Sequence, residues 1–182
     1  MRGDRKQKTG NRKQETGKER GENDAVTAPF AVQDFYPDDF AHCFGCGRLN
    51  PVGHHLRTVV EGDESVSRFT PSTHDMALPG FVYGGLLASL LDCHGMGTAS
   101  AAALREAGLE VGAEPSPRYV TAMLHVDFVR PTPLGGELVI HGRVEEFTAR
   151  KARIAAWVTA NGETTVRASI VAVPLPERMR PT

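Results

Sequence analysis

The chain has 182 residues, of which 40% are hydrophobic, and a formal net charge of −1. This length is enough for one domain with a hydrophobic core, and the near-neutral charge excludes a strongly basic nucleic-acid-binding protein. Three cysteines do not make a disulfide framework, no stretch approaches the ~20 apolar residues of a membrane span, and the N-terminus lacks a secretory signal. We therefore expect a cytoplasmic protein that binds neither membranes nor nucleic acids.

Residues 1–28 are predicted to form a disordered tail ahead of a single domain over residues 29–182. Between residues 2 and 24 there is no aliphatic, aromatic or sulfur-containing side chain, so this segment cannot bury enough apolar surface to offset its ordering entropy. It carries eight basic and five acidic residues. A basic arm for nucleic acid is one interpretation, but the acidic residues favour a solvated tail.

Two strands are predicted before the middle of the chain, over residues 56–60 and 65–69, around a turn at residues 61–63. A linker with two prolines then leads to the longest apolar run in the sequence. A strand pair followed by a long apolar segment indicates that the sheet begins before the main helix.

The long apolar segment over residues 81–91 is interrupted only by Gly84, Gly85 and Ser89. Its four leucines fall at one-, three- and four-residue spacings, which predicts a helix with apolar contacts on most sides. Such a helix is buried. Asp92 follows directly, and a carboxylate in that position must be paired, neutralised or used, because burying an unpaired charge is costly.

The last third of the chain is predicted to be entirely β. Strands are expected over residues 119–129, 138–144, 152–159 and 166–173. Asn161-Gly162 lies between the last two and is a strong hairpin signal. The order of elements predicts an α+β fold, in which an antiparallel sheet with a four-strand meander wraps around one long central helix.

Several segments together resemble the PaaI-type acyl-CoA thioesterases of the hotdog-fold superfamily. The matching segments are residues 43–53, 78–82, Tyr83-Gly84-Gly85, Asp92, 119–121 and 126–131. The resemblance implies a hotdog fold and hydrolysis of an acyl-CoA or acyl-carrier thioester without a cofactor. It also implies a homodimer or a dimer of dimers. One departure is Tyr83, because the family usually has His before the two glycines.

Thioester hydrolysis needs a polarised carbonyl and an activated nucleophile. Gly84 and Gly85 are expected to begin the helix, where free N–H groups and the helix dipole stabilise a developing oxyanion. Asp92 would act as general base or nucleophile. Seven residues separate it from Gly85, or ~10.5 Å along a helix, so either the substrate bridges the two or a dimer completes the site. The resemblance implies the dimer.

Further residues are expected to hold the substrate. Thr121 corresponds to a Ser or Thr that the resemblance implies is catalytic, and a Thr on a strand is equally a common β-former. Ala88 is small and leaves the helix face open, and Tyr83 lies at the substrate end. Basic side chains at strand ends are candidates for the phosphates of coenzyme A. These are Arg130, Arg150 and Lys151.

Cys43-x-x-Cys46 is either a packing feature or half of a zinc site. The residues available to complete such a site are His42, His54, His55 and Cys93. No second CxxC pair exists, so we expect no metal. His94 is expected in the core or an interface, and His125 and Asp127 share a strand face without an implied catalytic role.

Two alternative functions stay open from the sequence. One is an acyl-thioester-binding hotdog protein without hydrolysis, which Tyr83 makes plausible. The other is a nucleic-acid-linked protein that uses the basic tail and the CxxC motif.

Overall fold

The computed structural model describes residues 30–180, and the predicted tail over residues 1–28 lies outside the described residues. The described part has one α-helix, α1 (Gly84–Glu106). Its strands are β1 (Val59–Glu61), β2 (Glu64–Phe69), β3 (Met76–Leu78), β4 (Phe81–Val82), β5 (Tyr119–Phe128), β6 (Leu138–Phe147), β7 (Ala152–Ala160) and β8 (Glu163–Pro174). Within residues 30–180, no helix has the length and apolar character needed to cross a membrane.

Six strands form one antiparallel sheet in the order β1-β2-β6-β7-β8-β5, and α1 packs against it. This confirms the α+β hotdog fold with a single central helix. The fully buried side chains at the contact between helix and sheet include Leu90, Leu91, Ile140, Ile154 and Ile170. The helix is therefore buried, as its leucine spacing predicts, because the sheet covers most of its circumference.

The prediction of a four-strand meander is wrong at its first strand. Strands β6, β7 and β8 follow one another as hairpins, but β5 pairs with β8 and β6 pairs with β2. The connection between β5 and β6 contains Pro131 and Pro133 and is too long for a tight hairpin. It therefore lets β6 join the N-terminal strands. The predicted Asn161-Gly162 hairpin is confirmed, with both residues at positive φ (51° and 79°).

A short hairpin, β3–β4, stands where the sequence predicts only a linker. Its strands of three and two residues are too short to show an alternating pattern. The hairpin fixes the start of α1, because Val82 N–H donates to the Thr132 carbonyl (2.9 Å) and Tyr83 N–H donates to the Asp75 carbonyl (2.7 Å).

The far end of α1 is followed closely by a glycine. The helix stops at Glu106, and Gly108 adopts a left-handed φ of 68°, a typical glycine position just beyond a helix.

His94 is buried, as expected, and its ring nitrogens bond to the hydroxyls of Ser67 (2.8 Å) and Ser65 (3.1 Å). It therefore belongs to a polar contact between helix and sheet.

Candidate active site

The helix N-terminus presents two free N–H groups. Tyr83 is the N-cap in an extended conformation, and Gly84 and Gly85 form the first helical positions. The N–H groups of Leu86 and Leu87 both donate to the Tyr83 carbonyl. Among the described residues, neither Gly84 nor Gly85 donates its N–H to a protein acceptor. Both glycines can therefore donate to a ligand oxygen.

Aromatic rings occupy the space that side chains at these glycines would need. A Cβ on Gly85 would lie 2.4–2.5 Å from the ring and hydroxyl of Tyr83. A Cβ on Gly84 would lie 3.3 Å from the ring of Phe128, at the end of β5. Tyr83 is 57% exposed, so its phenol lies at the surface beside the helix N-terminus. The sequence did not identify Phe128, because strand numbering alone does not show which helix turn a strand contacts.

The structure brings together Asp92 and Thr121, two of the candidate catalytic residues. The Thr121 hydroxyl donates to Oδ1 of Asp92, and the carboxylate is half-buried. Burial raises the pKa of Asp92, and the hydrogen bond from Thr121 opposes part of that shift. The environment therefore makes Asp92 a stronger base than an exposed aspartate.

A stripe of partly exposed residues runs along the otherwise buried helix. Gly85, Ala88, Ser89 and Asp92 are exposed or intermediate, while the leucines beside them are buried. Their spacing places them on one helix face. Ala88 lies between the glycine pair and the carboxylate on this face, and its small side chain keeps the face accessible.

The donor end and the base end of this face are well separated. Gly84 contacts Phe128 at the end of β5, whereas Asp92 bonds to Thr121 near its beginning. Eight residues from Gly84 to Asp92 correspond to ~12 Å along the helix axis. One protomer therefore cannot place its own glycine N–H groups and its own carboxylate on the same carbonyl group.

The three candidate phosphate-binding residues fall into two groups. Arg150 and Lys151 directly precede β7. The first residue of β7 and Thr121 both pair with the same residue of β8, so the two basic residues lie at the Thr121 end of the sheet. Arg130 lies at the opposite end of the sheet, just beyond Phe128, where its N–H donates to the Thr165 carbonyl. Within one protomer, the basic residues therefore do not form a single patch.

Their ion pairs also differ. Arg130 pairs with Glu163 (Nη1 to Oε2, 3.0 Å), and Lys151 pairs with Glu146 (Nζ to Oε1, 3.2 Å). Over residues 30–180, Arg150 has no acidic partner within 4.0 Å. Arg150 is therefore the candidate whose guanidinium is most available to an anion.

The remaining candidates lie outside this face or beside it. His125 and Asp127 share an exposed face of β5, with Nε2 3.2 Å from Oδ1. Cys93 follows Asp92 and contacts Cys43, with Sγ atoms 3.7 Å apart. Of the four residues that the sequence offered as neighbours of the CxxC motif, the structure brings Cys93 to it.

Comparisons with known proteins find similarity to thioesterases. The family model described as "Thioesterase superfamily" matches residues 79–167. A solved thioesterase superfamily protein from Shewanella loihica is 39% identical, and the match covers 76% of this chain and 98% of that chain, with a TM-score of 0.59. The E. coli PaaI protein of the phenylacetic acid degradation operon is similar in fold alone, at 14% identity, 68% and 81% coverage and a TM-score of 0.55.

A curated relative is also similar to this chain. The acyl-coenzyme A thioesterase THEM4 of Rattus norvegicus is 27% identical over 108 residues, which are 59% of this chain. The match spans 41% of that relative's length.

Proposed function

The chain belongs to the thioesterase superfamily, and on this premise we propose that it hydrolyses an acyl-coenzyme A to the free acid and coenzyme A. Superfamily membership supports thioester hydrolysis in general. The observation that carries the proposal is the half-buried Asp92 carboxylate, bonded to Thr121, on an accessible helix face. Coenzyme A as the thiol is supported by the similarity to a named acyl-coenzyme A thioesterase.

In the proposed reaction, Asp92 takes a proton from a water molecule as the water oxygen attacks the thioester carbonyl carbon. The carbonyl oxygen becomes an oxyanion and accepts hydrogen bonds from the helix N-terminus, with Gly84 N–H as the main donor and Gly85 N–H beside it. Collapse of the intermediate breaks the carbon–sulfur bond. The leaving thiolate then takes from Asp92 the proton that Asp92 accepted from water. Thr121 holds the carboxylate in position throughout.

We propose that two subunits build each site, because the donor and base of one protomer are ~12 Å apart along the helix. Within residues 30–180, strand β5 is an edge strand whose one sheet neighbour is β8. Exposed apolar side chains on and near it include Met123, Phe128, Phe81, Tyr83 and Leu78. A long edge strand with such an apolar surface is typical of an interface between subunits.

Pairing β5 with its copy about a two-fold axis would solve the distance problem. In an antiparallel pair centred on His125, Phe128 of one strand lies opposite Ala122 of the other, one residue from Thr121. The Gly84 end of one subunit would then lie beside Asp92 of the other. Each dimer would have two equivalent sites.

The same two-fold pairing would collect the basic residues. Arg130 of one subunit would lie at the sheet end that carries Arg150 and Lys151 of the other. Three cations from two chains would then surround the site entrance, where the phosphates of coenzyme A need donors. Tyr83 would lie close to the acyl carbonyl, beside the glycine donors.

The test measures thiol release from a panel of acyl-CoAs with short, medium, long and aromatic acyl groups. We expect hydrolysis of at least one of them, and we expect Asp92→Asn to reduce kcat by ~10²-fold or more while the protein stays folded. Acyl-pantetheine thioesters, which lack the nucleotide, should be cleaved with a higher KM. Ser89→Ala on the same helix face is the matched control and should keep activity.

Two outcomes would contradict the proposal. Tight binding of acyl-CoA without thiol release would favour a binding protein that does not hydrolyse thioesters, with Tyr83 as the departure responsible. Unchanged turnover in Asp92→Asn would remove that carboxylate from the mechanism.

A further inference from the structure

Three cysteines converge beside the candidate active site, although they come from distant parts of the sequence. The Sγ atoms of Cys43, Cys46 and Cys93 all lie within 4.8 Å of one another, and no disulfide joins them. Cys46 and Cys93 are buried, at 6% and 5% exposure, whereas Cys43 is exposed. The cluster therefore has two sulfurs fixed in the protein interior and one at the surface.

The loop that carries Cys43 and Cys46 is a tight turn. Gly47 N–H donates to the Cys43 carbonyl (2.8 Å), and a Cβ on Gly47 would lie 2.4–2.6 Å from backbone atoms. This tight turn holds Cys43 and Cys46 on one compact loop.

Gly45 allows the helix to bring in the third sulfur. A Cβ on Gly45 would lie 2.2 Å from Sγ of Cys93. The backbone of the loop therefore passes directly over the Cys93 side chain. The approach of all three sulfurs depends on a glycine at this position.

The spacing of the sulfurs fits a shared metal ion. Two sulfurs bound to one tetrahedral Zn²⁺ at about 2.3 Å lie ~3.8 Å apart, and Sγ of Cys43 and Sγ of Cys93 are 3.7 Å apart. A disulfide would require the same atoms to approach to ~2.0 Å. We propose that Cys43, Cys46 and Cys93 form a binding site for a thiophilic divalent cation, with Zn²⁺ as the ion.

Three thiolates leave one coordination position of a tetrahedral ion open. Because Cys43 is exposed, solvent can reach the site, and water can fill that position. Thiolate sulfur is a soft ligand that selects Zn²⁺ over Mg²⁺ or Ca²⁺. The sequence alone favoured a packing role for the CxxC motif because no second ligand pair follows it, and the third ligand instead comes from the helix.

The test uses the full chain, reduced and stripped of metal with a chelator, under anaerobic conditions. Titration with Cd²⁺ should produce an ultraviolet thiolate-to-metal absorption band that saturates at one equivalent per chain. Competition with a chromophoric chelator should give one Zn²⁺ per chain. Mutating a residue that only hydrogen-bonds to a metal ligand already lowers metal affinity by about 10–100-fold. Because Cys43 is proposed as a direct ligand, Cys43→Ser should weaken Zn²⁺ binding by about 100-fold or more.

Cys43→Ser is the primary variant because Cys43 is exposed, so its removal leaves the core intact. Cys46→Ser and Gly45→Ala should weaken binding as well, with circular dichroism reporting whether they fold. His74→Ala, an exposed histidine outside the cluster, is the control and should bind Zn²⁺ like the wild type. Absence of the Cd²⁺ band, or unchanged Zn²⁺ binding in Cys43→Ser, would overturn the proposal. So would a reduced protein that takes up no metal but forms a Cys43–Cys93 disulfide with hydrogen peroxide.

Discussion

At the scale of single residues, the two glycines of the candidate site have different neighbours. The Tyr83 ring closes over Gly85, whereas Gly84 meets the Phe128 ring at a distance that requires only a small movement. Gly84 is also the first helical residue, where its N–H has no partner within the helix. Gly84 can therefore be replaced in ways that separate the role of its N–H from the role of its small size.

Gly84→Pro removes the N–H while keeping the helix start, because proline suits the first helical position. Tyr83 is extended (φ −64°, ψ 126°), which is compatible with a following proline. We expect kcat for the best acyl-CoA substrate to fall by about 10²–10³-fold, the usual effect of losing an oxyanion donor. Steady-state kinetics and circular dichroism measure this.

Gly84→Ala is the control for the added bulk. It puts a Cβ against Phe128 but keeps the N–H, so it should retain most of the activity. Equal losses in both variants would attribute the effect to packing. Full activity in Gly84→Pro would exclude this N–H as the donor.

At the scale of elements, local patterns were reliable where local chemistry determines structure. The leucine spacing predicted α1, and Asn161-Gly162 predicted the β7–β8 hairpin, because positive φ at both turn residues is a local requirement. Hairpin β3–β4 was missed because five residues carry no usable period.

Contacts between distant elements were not predictable in the same way. The place of β5 beside β8 depends on how a long connection crosses the sheet, which strand patterns do not encode. The family resemblance named Asp92 and Thr121 as catalytic candidates, but the hydrogen bond between them was not predicted. The approach of Cys93 to Cys43 depends on a glycine loop packing on the helix, so the sequence offered it as one of four options.

Tyr36 links three elements and gives a prediction about alkaline stability. It ends the short 3₁₀-helix Val32–Phe35, its hydroxyl lies 3.5 Å from the Ser100 hydroxyl on α1, and the Arg118 guanidinium lies 3.4 Å from its ring centroid. Burial raises the pKa of Tyr36 to about 12, with Arg118 opposing part of the shift. Because the folded state holds the proton more tightly, the stability that this proton provides is present below pH 10 and is lost between pH 10 and 12.

We expect the wild type to lose about 1 kcal/mol more unfolding free energy than Tyr36→Phe between pH 8 and pH 11. Urea unfolding at the two pH values measures this difference. Phenylalanine keeps the ring beneath Arg118 and removes only the titrating hydroxyl, so it is a matched control. Parallel loss in both proteins would show that Tyr36 does not control alkaline unfolding.

At the scale of the whole molecule, the distance between donor and base makes the oligomer part of the proposed mechanism. A monomer would possess both Gly84 and Asp92 and still lack a complete site. The face made by β5 and the β3–β4 hairpin carries exposed apolar side chains, which a partner subunit would cover. Active protein should therefore behave as a dimer or larger assembly in solution.

Mixed dimers test the shared site directly. Gly84→Pro and Asp92→Asn homodimers should both be nearly inactive. In a hybrid of the two, one site receives both defects and the other receives neither, because each site takes its donor from one subunit and its base from the other. Random 1:1 mixing makes about half of the dimers hybrids, so we expect about a quarter of wild-type activity to return. Co-refolding of differently tagged subunits, followed by the thiol-release assay, measures the recovery.

Mixing Asp92→Asn with Asp92→Ala is the control, since both defects lie in the same residue and no intact site can form. If the hybrid of the two different defects stayed as inactive as this control, each site would have to be built within a single subunit.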